Sequence, residues 1–349
     1  RSRTLKPGAA GAASAWTTKT ASRSAAGTAR GTTKVIIARV NDLEHDLRRV
    51  VRGDVRFDPA SRLLYSTDAS MYQVEPVGVV IPRDVEDVQA AVEVAKQQQV
   101  ALLPRGGGTS LTGQTVNRAL VLDFSQHMHG ILEVNAEAGW ARVQPGVVQD
   151  NLNHHVRPLG LLFGPDTSTS NRATLGGMLG NNSGGSHSIA YGLTVEHVVE
   201  LTALLADGTR VVFGEVTPAE FSTKCGAPRL EGRIYREVAR LRETYADEIK
   251  ARYPTHWRRV AGYNLNELLR PEPLNMARLI VGSEGTLVTV LEAKVRLVRR
   301  PRSTALDVIH YRDIQEALES SQAILETGPY AIELTDKMIL DLARGNIEQ

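Results

Sequence analysis

A run of three glycines, placed directly after a short apolar segment, constrains this chain more than any other feature. Val100 to Leu103 predicts a β-strand, and Arg-Gly-Gly-Gly-Thr-Ser follows at 105–110, with another glycine at Gly113. Glycines let successive backbone N–H groups turn towards one point, and such concave backbone binds phosphate or pyrophosphate. The arginine and the two hydroxyl residues add a positive charge and hydrogen-bond donors. The stretch indicates either a loop for a phosphate-bearing ligand or a flexible turn.

Two well-known phosphate motifs do not fit this loop. A dinucleotide fingerprint requires a glycine where the chain has Leu111, and a P-loop requires a lysine where it has Gln114. The residue spacing alone therefore leaves the ligand open.

The sequence before the loop predicts a β-α-β unit. Val77 to Ile81 is a candidate strand, and Asp84 is a candidate N-cap for a helix with apolar residues at Val85, Val88, Val92 and Ala95. In open α/β sheets, ligands bind at the carboxyl ends of strands, which is where this loop lies. A further helix is predicted from Asn41-Asp42 to Val51.

The sequence after the loop is mostly β-strand to about residue 300, with one long helix. The predicted strands are 119–123, 130–134, 140–144, 201–205, 210–213, 278–281 and 286–298, and the long helix carries apolar residues from Ile234 to Ile249. Beyond Pro301 we expect a β-α-β-α run: strands at 304–310 and 330–334, a helix at 312–327 with Ile314, Leu318 and Ile324 or Leu325 facing inward, and a helix from Asp336.

A second glycine-rich stretch lies between Phe163 and His187. It contains two Gly-Gly pairs, Gly176-Gly177 and Gly184-Gly185, with asparagine and serine between them. Backbone of this kind can wrap closely around a large polar ligand, and a long irregular loop within a domain is usually functional.

Composition excludes several classes of protein. A net charge of +2 does not indicate a nucleic-acid-binding surface, and the single cysteine, Cys225, excludes a disulfide framework or an all-cysteine metal site within these 349 residues. The histidines at 127, 129, 154 and 155 lack nearby acidic or cysteine partners, so we expect no metal site. No apolar run approaches the roughly 20 residues that cross a bilayer.

The first 34 residues are rich in alanine, glycine, serine and threonine and contain no acid. We expect a disordered tail, since such a segment buries too little apolar surface to fold. Arg-rich, Ser-rich and acid-poor composition also describes an organelle transit segment. The expected location is therefore cytoplasmic, or mitochondrial if residues 1–34 are a transit segment.

Five motifs in order resemble one known family, the FAD-linked oxidases and dehydrogenases related to vanillyl-alcohol oxidase, with a PCMH-type FAD-binding domain. The motifs are Arg105 to Gln114, Pro165-Asp166 with Thr174-x-Gly176-Gly177 and Asn182 to Gly185, Tyr191 to Gly208, Gly262 to Leu265, and Val281 to Leu287. Within the family, the sequence is similar to the branch that contains glycolate oxidase and the D-lactate and D-2-hydroxyglutarate dehydrogenases.

The resemblance implies an α+β fold: a PCMH-type FAD-binding domain of two α/β subdomains, followed by a ferredoxin-like substrate (cap) domain. We place the tail at 1–34, the FAD-binding domain at 35–300 with a subdomain boundary near 115, and an incomplete first part of the cap domain at 301–349. Some relatives are fused to an iron–sulfur domain; with Cys225 alone, such a cluster would lie outside this sequence.

The resemblance also implies the cofactor and its site. We expect FAD, held non-covalently because the first glycine loop has no histidine. The expected cofactor-binding residues are Arg105, Gly106, Gly107, Gly108, Thr109, Ser110, Gly113, Pro165, Asp166, Thr174, Gly176, Gly177, Ser183, Gly184, Gly185, Val198, Glu284 and Gly285. Arg302 is the candidate for binding a substrate carboxylate, against the alternative of a surface charge.

The expected function is dehydrogenation of a D-2-hydroxy acid (lactate, glycolate or 2-hydroxyglutarate class) by hydride transfer to the flavin. An unidentified electron acceptor and a homodimer are the expected partners. Because the family's metal-binding half of the cap is expected beyond Gln349, we expect weak turnover or none. The alternatives are a catalytically silent FAD-binding module of a larger assembly and a phosphosugar reductase of the UDP-N-acetylenolpyruvoylglucosamine type.

Overall fold

The computed structural model describes residues 42–345, so the predicted tail at 1–34 and the start of the first predicted helix lie outside the described residues. The described chain begins with helix α1 over 42–50. The other helices are α2 (Pro59–Leu64), α3 (Val85–Gln97), α4 (Gln149–Val156), α5 (Leu175–Asn181), α6 (Ser188–Tyr191), α7 (Thr194–His197), α8 (Pro218–Cys225), α9 (Arg229–Arg252), α10 (Met276–Ile280), α11 (Ile314–Glu326) and α12 (Lys337–Arg344). Short 3₁₀ turns occupy Arg157–Leu159 and Leu265–Leu269.

The strands form two larger sheets and two small ones. They are β1 (Asp54–Arg56), β2 (Gly78–Ile81), β3 (Leu102–Arg105), β4 (Leu120–Asp123), β5 (Ile131–Asn135), β6 (Trp140–Val143), β7 (Leu161–Leu162), β8 (Val198–Leu204), β9 (Arg210–Phe213), β10 (Glu215–Val216), β11 (Leu274–Asn275), β12 (Thr289–Arg296) and β13 (Val298–Arg299). The pairs β10–β11 and β7–β13 form the small sheets.

The first sheet has the strand order β1-β2-β4-β3. β4 pairs in parallel with both β2 and β3, and β1 is an antiparallel edge strand. The predicted β-α-β unit is confirmed as β2-α3-β3: Asp84 caps α3 by accepting a hydrogen bond from the Asp87 N–H, although β4 lies between the two strands. The glycine run follows the carboxyl end of β3, where parallel sheets bind ligands.

The second sheet is antiparallel, with the order β5-β6-β12-β8-β9. Its central strand, β12, alternates between buried and half-buried residues because one face covers the core while the other is partly open. Helices α4, α5, α9 and α10 contribute to the same apolar core, in which Tyr235 and Phe213 stack with their ring centroids 6.4 Å apart.

One predicted strand in this part of the chain is wrong. Residues 278–281 belong mostly to helix α10, because the side chain of Asn275 accepts a hydrogen bond from the Ala277 N–H and caps a helical turn there. Methionine, alanine, arginine and leucine, which follow, all favour helix. The apolar run at 278–281 was too short to distinguish helix from strand by periodicity.

The last described segment also differs from expectation. Helices α11 and α12 are confirmed, but no strand forms at 304–310 or 330–334. The apolar residues there have no described strand to pair with, and Leu306 is 87% exposed. On α11, Ile314, Leu318 and Leu325 are exposed and do not face inward, whereas Ile324 is half-buried. High β-propensity describes fit to a neighbouring strand, so it does not form a strand without one.

Among residues 42–345, no helix combines the length and the apolar character needed to cross a membrane.

Candidate functional site: a cleft between two glycine-rich segments

Arg105 connects the glycine run to an earlier segment of the chain. Its guanidinium donates to the carbonyl oxygens of Tyr65 (3.1 Å), Thr115 (2.9 Å) and Thr67 (2.7 Å) and lies over the Tyr65 ring. Burial lowers the pKa of Arg105, but arginine remains charged at neutral pH. The structure therefore uses three of the five N–H donors of the Arg105 guanidinium to hold backbone.

The polar residues beneath the loop complete this clamp. Asp68 accepts hydrogen bonds from the Ser70 N–H (2.8 Å) and the Thr115 hydroxyl (2.8 Å). Burial raises the pKa of Asp68, but these hydrogen bonds outweigh burial and leave the pKa below its usual value. The carbonyl of Gly108, which adopts a positive φ of 64°, accepts from the Ala69 N–H at 3.0 Å. Both ends of the glycine loop are thus fixed to residues 65–70.

The first glycine loop packs directly against the second glycine-rich stretch. A Cβ at Gly106 would lie 2.0 Å from Thr174 Oγ1, and one at Gly107 would lie 2.4 Å from the carbonyl oxygen of Arg172. Thr174 in turn caps α5 by accepting from the Gly177 N–H at 3.3 Å. Any side chain at 106 or 107 would therefore separate the two segments.

A third segment, 282–285, joins the same place from the carboxyl end of α5. The N–H groups of Gly282 and Glu284 donate to the carbonyls of Leu179 (2.8 Å) and Gly180 (2.9 Å) in the last turn of the helix. Gly285 packs against Pro104: a Cβ added to Gly285 would lie 3.3 Å from the Pro104 ring. Three motifs that are far apart in the sequence therefore meet around α5.

Between these segments lies a cleft of about 750 Å³, including its open mouth. Eight of the residues predicted to bind cofactor line it: Arg105, Gly106, Ser110, Thr174, Gly176, Gly177, Glu284 and Gly285. Sequence reasoning missed Gln114 and Ser283, although each lies inside or directly beside a quoted motif. It also missed apolar wall residues such as Phe124, Leu179 and Val288, which only the fold brings here.

Gly107, Gly108, Thr109 and Gly113 belong to the same loop but do not line the cleft. Gly107 packs on Arg172, and a Cβ at Gly113, whose φ is 83°, would lie 2.7 Å from the Tyr72 ring. These positions shape the loop.

A second group of predicted residues lies further along the chain, around Asp166. The Asp166 carboxylate pairs with His187 Nδ1 at 2.8 Å and also accepts from the His187 N–H. Pro165 receives a hydrogen bond on its carbonyl from Gln149 Nε2, and a Cβ at Gly185 would lie 2.6 Å from Asp166. None of these residues lines the cleft.

The remaining predicted residues are placed as follows. Ser183 donates from its hydroxyl to Asn181 Oδ1 at 3.1 Å, which links it to the cleft through the Asn181–Glu284 contact. Gly184 packs against Ser188 and Leu193, and Val198 is buried at the start of β8. Arg302 is exposed, outside the cleft lining, as are the nearby Arg299 and Arg300.

Two observations test whether this cleft fits a large cofactor such as FAD. The side-chain oxygen of Gln114, a lining residue, is buried without a hydrogen-bond partner among the described residues, so it is free to accept from a ligand. Gly177 and Gly180 leave one flank of α5 without side chains, which opens helix backbone to the cleft. Both features fit a ligand with many polar atoms. No group of three metal-ligating side chains occurs within residues 42–345.

The comparisons with known proteins agree with this geometry. Residues 76–214 match the profile described as an FAD binding domain. The chain is 38% identical over 300 residues to D-2-hydroxyglutarate dehydrogenase of Pseudomonas putida, an alignment that covers 85% of this chain and 30% of that protein. It is 32% identical over 297 residues to glycolate oxidase subunit GlcD of Bacillus subtilis, covering 83% of this chain and 52% of that one. The chain therefore carries the FAD-binding domain of this family of FAD-linked oxidoreductases.

Members of this FAD-linked family differ greatly in length. The chain spans about a third of the D-2-hydroxyglutarate dehydrogenase of Escherichia coli, to which it is 35% identical, since the alignment covers 32% of that protein. It spans about half of the D-2-hydroxyglutarate dehydrogenase of Stutzerimonas stutzeri, to which it is 30% identical, with 54% of that protein covered.

Solved structures show the same fold at low sequence identity. An alkyldihydroxyacetonephosphate synthase superposes with a TM-score of 0.57 at 18% identity, over 83% of this chain and 47% of that one. A carbohydrate oxidase from Microdochium nivale superposes with a TM-score of 0.51 at 17% identity, over 74% of this chain and 44% of that one. The described chain is therefore a mixed helix and sheet structure that shares its fold with these two proteins.

Proposed function

We propose that this chain is part of an FAD-dependent dehydrogenase of D-2-hydroxy acids, of the lactate, glycolate or 2-hydroxyglutarate class. The observation that carries the proposal is the meeting of three glycine-containing segments around one cleft, in a chain whose residues 76–214 match an FAD binding domain. The names of the relatives support the substrate class, since several are D-2-hydroxyglutarate dehydrogenases.

The cofactor site in this proposal has two parts. The cleft residues around Gly106, Gly177 and Glu284 bind one part of FAD, and the Asp166 group with Ser183, Gly184, Gly185 and Val198 continues the path. Binding is non-covalent, because residues 105–114 contain no histidine that could form the bond. The clamp made by Arg105 keeps the loop in the shape that admits the cofactor.

Bound FAD would supply the hydride acceptor for oxidation of the substrate α-carbon. The chain would bind and orient the substrate carboxylate, and Arg302 is our candidate for that contact. We further propose that residues 301–345 belong to the substrate-binding part of the protein. In support, Tyr330 packs edge-on against Tyr191, with ring centroids 5.6 Å apart, next to the Asp166–His187 pair.

Anaerobic reduction of the bound flavin tests this function. D-2-hydroxyglutarate, D-lactate and the achiral glycolate are each added to the FAD-loaded protein, with L-2-hydroxyglutarate and L-lactate as controls. We expect the flavin absorbance to bleach with at least one D-acid and not with its L-enantiomer. A protein that holds FAD but bleaches with no acid would instead be a silent FAD-binding module, and bleaching by NADPH alone would indicate a phosphosugar reductase.

A further inference from the structure

Glu284 carries the only carboxyl group among the described residues that line the cleft. Backbone and side-chain contacts fix the position of this carboxyl group. Its backbone has a positive φ of 50°, which is unusual for a residue with a side chain, and its N–H donates to the Gly180 carbonyl. Oε1 accepts from Asn181 Nδ2 at 2.9 Å. The Asn181 amide is itself oriented by the Ser183 hydroxyl, which donates to Asn181 Oδ1. The carboxyl therefore points in one defined direction.

The second carboxyl oxygen, Oε2, is free for a ligand. No residue of the described chain donates a hydrogen bond to it, and it lies 3.8 Å from where a Cβ on Gly180 would be. Asn181 donates to Oε1 and so marks that oxygen as the acceptor. If the carboxyl carries a proton, Oε2 is the oxygen that bears it.

No positive charge pairs with this carboxyl in the described cleft. The one other ionisable residue that lines the cleft is Arg105, whose guanidinium is already held by three backbone carbonyls. On the neighbouring segments, the ionisable side chains have other partners. The Tyr263 hydroxyl bonds with the Thr286 hydroxyl, and the Arg259 guanidinium contacts backbone carbonyls and the Tyr253 ring. Burial consequently raises the pKa of the Glu284 carboxyl, and the hydrogen bond from Asn181 offsets part of that rise.

We propose that Glu284 binds FAD as a neutral carboxylic acid, with Oε2–H donating a hydrogen bond to an acceptor atom of the cofactor. A carboxylate at the same place would carry a negative charge towards a ligand whose pyrophosphate is also negative, and it would have no hydrogen to donate. FAD binding to the ionised protein must then take up one proton. This inference rests on the proposed FAD site and adds a pH dependence to it.

The test is the pH dependence of FAD affinity, measured by titrating the FAD-free protein and following flavin fluorescence between about pH 5 and 9. Above the pKa of Glu284 in the FAD-free protein, the dissociation constant should rise by up to about tenfold for each pH unit. Glu284→Gln keeps the shape and a donor but cannot titrate, so its dissociation constant should change little with pH and stay near the wild-type value at low pH. Glu292→Gln is the matched control, because Glu292 pairs with Arg142 and Arg210 outside the cleft and should leave the wild-type slope unchanged.

A second readout needs no variant. Mixing FAD with wild-type protein in weakly buffered solution containing a pH indicator should show proton uptake that approaches one proton per FAD at high pH. FAD that binds with the same affinity across this pH range, or a Glu284→Gln protein that keeps the wild-type slope, would overturn the inference and leave the FAD site intact. A folded wild-type protein that binds no FAD at any pH would overturn the cofactor assignment itself.

Discussion

The Thr174 hydroxyl occupies the space in which any residue but glycine at position 106 would place its Cβ, since only 2.0 Å separates Thr174 Oγ1 from that point. The same hydroxyl accepts from the Gly177 N–H and so begins helix α5. One side chain therefore sets both the spacing of the two glycine-rich segments and the start of the helix between them. We expect FAD retention and the stability of the glycine loop to depend on this contact and on the residues that support it.

Gly107→Val should abolish FAD retention. Its Cβ would lie 2.4 Å from the Arg172 carbonyl oxygen, and because backbone on both sides must move, we expect the free energy of unfolding to fall by about 2 kcal/mol. Flavin absorbance after gel filtration and urea unfolding measure the two effects. Gly214→Ala is the control, since its Cβ would have no neighbour nearer than 3.5 Å. Normal FAD stoichiometry in Gly107→Val would mean that the loop does not contact the cofactor.

Arg105→Lys should loosen the glycine loop without changing the net charge. A lysine ammonium cannot reproduce the planar set of donors that binds the carbonyls of Tyr65, Thr67 and Thr115. Losing two of these charge-assisted hydrogen bonds should cost at least about 3 kcal/mol of stability. The cofactor-free protein should also be cleaved faster by a protease within residues 105–115. An unchanged unfolding free energy and an unchanged cleavage rate in Arg105→Lys would show that the Arg105 contacts are not needed to hold the glycine loop.

Asp68→Asn should destabilise the protein at neutral pH and have little effect in acid. The pKa of Asp68 in the folded protein lies below the ordinary value of 3.8, so its carboxylate contributes stability above that pH. This contribution is lost as the pH falls through the folded-state pKa. From the lost hydrogen bonds we expect a difference of about 1 kcal/mol at pH 7, shrinking below about pH 3. Urea unfolding of the wild-type and Asp68→Asn proteins at the two pH values provides the measurement. An equal difference in unfolding free energy at both pH values would contradict this prediction.

Arg302→Gln should weaken substrate binding while leaving FAD binding unchanged, since Arg302 is exposed and outside the cleft lining. Losing a charge-assisted contact to a carboxylate should raise the substrate concentration for half-maximal flavin reduction at least about tenfold. Arg299→Gln, on β13, is the matched control. If the two substitutions had equal effects on substrate binding, Arg302 would contribute only general positive surface charge.

Local signals predicted much of the fold. The cap of α3 at Asp84, the start of α12 at Asp336 and the strands at 201–205 and 210–213 all depend on neighbours in sequence, and each is confirmed. The failures have two causes, a strand without a described partner and a short apolar run that a local cap turns into a helix. Residues 304–310 have strand-forming side chains but no described strand beside them, and the cap on α10 depends on the side chain of a single asparagine, Asn275.

The same division applies to the site. Residue types marked the glycine-rich segments, and the motif order indicated FAD, but no spacing rule could show that Thr174 fills the space beside Gly106. Arg105 illustrates the limit best. Its charge suggested a ligand contact, whereas its actual partners are carbonyls of residues 65–67, which are distant in sequence. Burial of Gln114 without a partner likewise depends on the whole fold.

The central claim is that the cleft between the two glycine-rich segments holds FAD, and direct titration tests it. Protein that is confirmed as folded by circular dichroism is titrated with FAD, and the visible spectrum and flavin fluorescence are recorded. The account predicts saturable binding of one FAD per chain with a shifted flavin band, lost in Gly107→Val and kept in Gly214→Ala. A folded protein that takes up no FAD would contradict it.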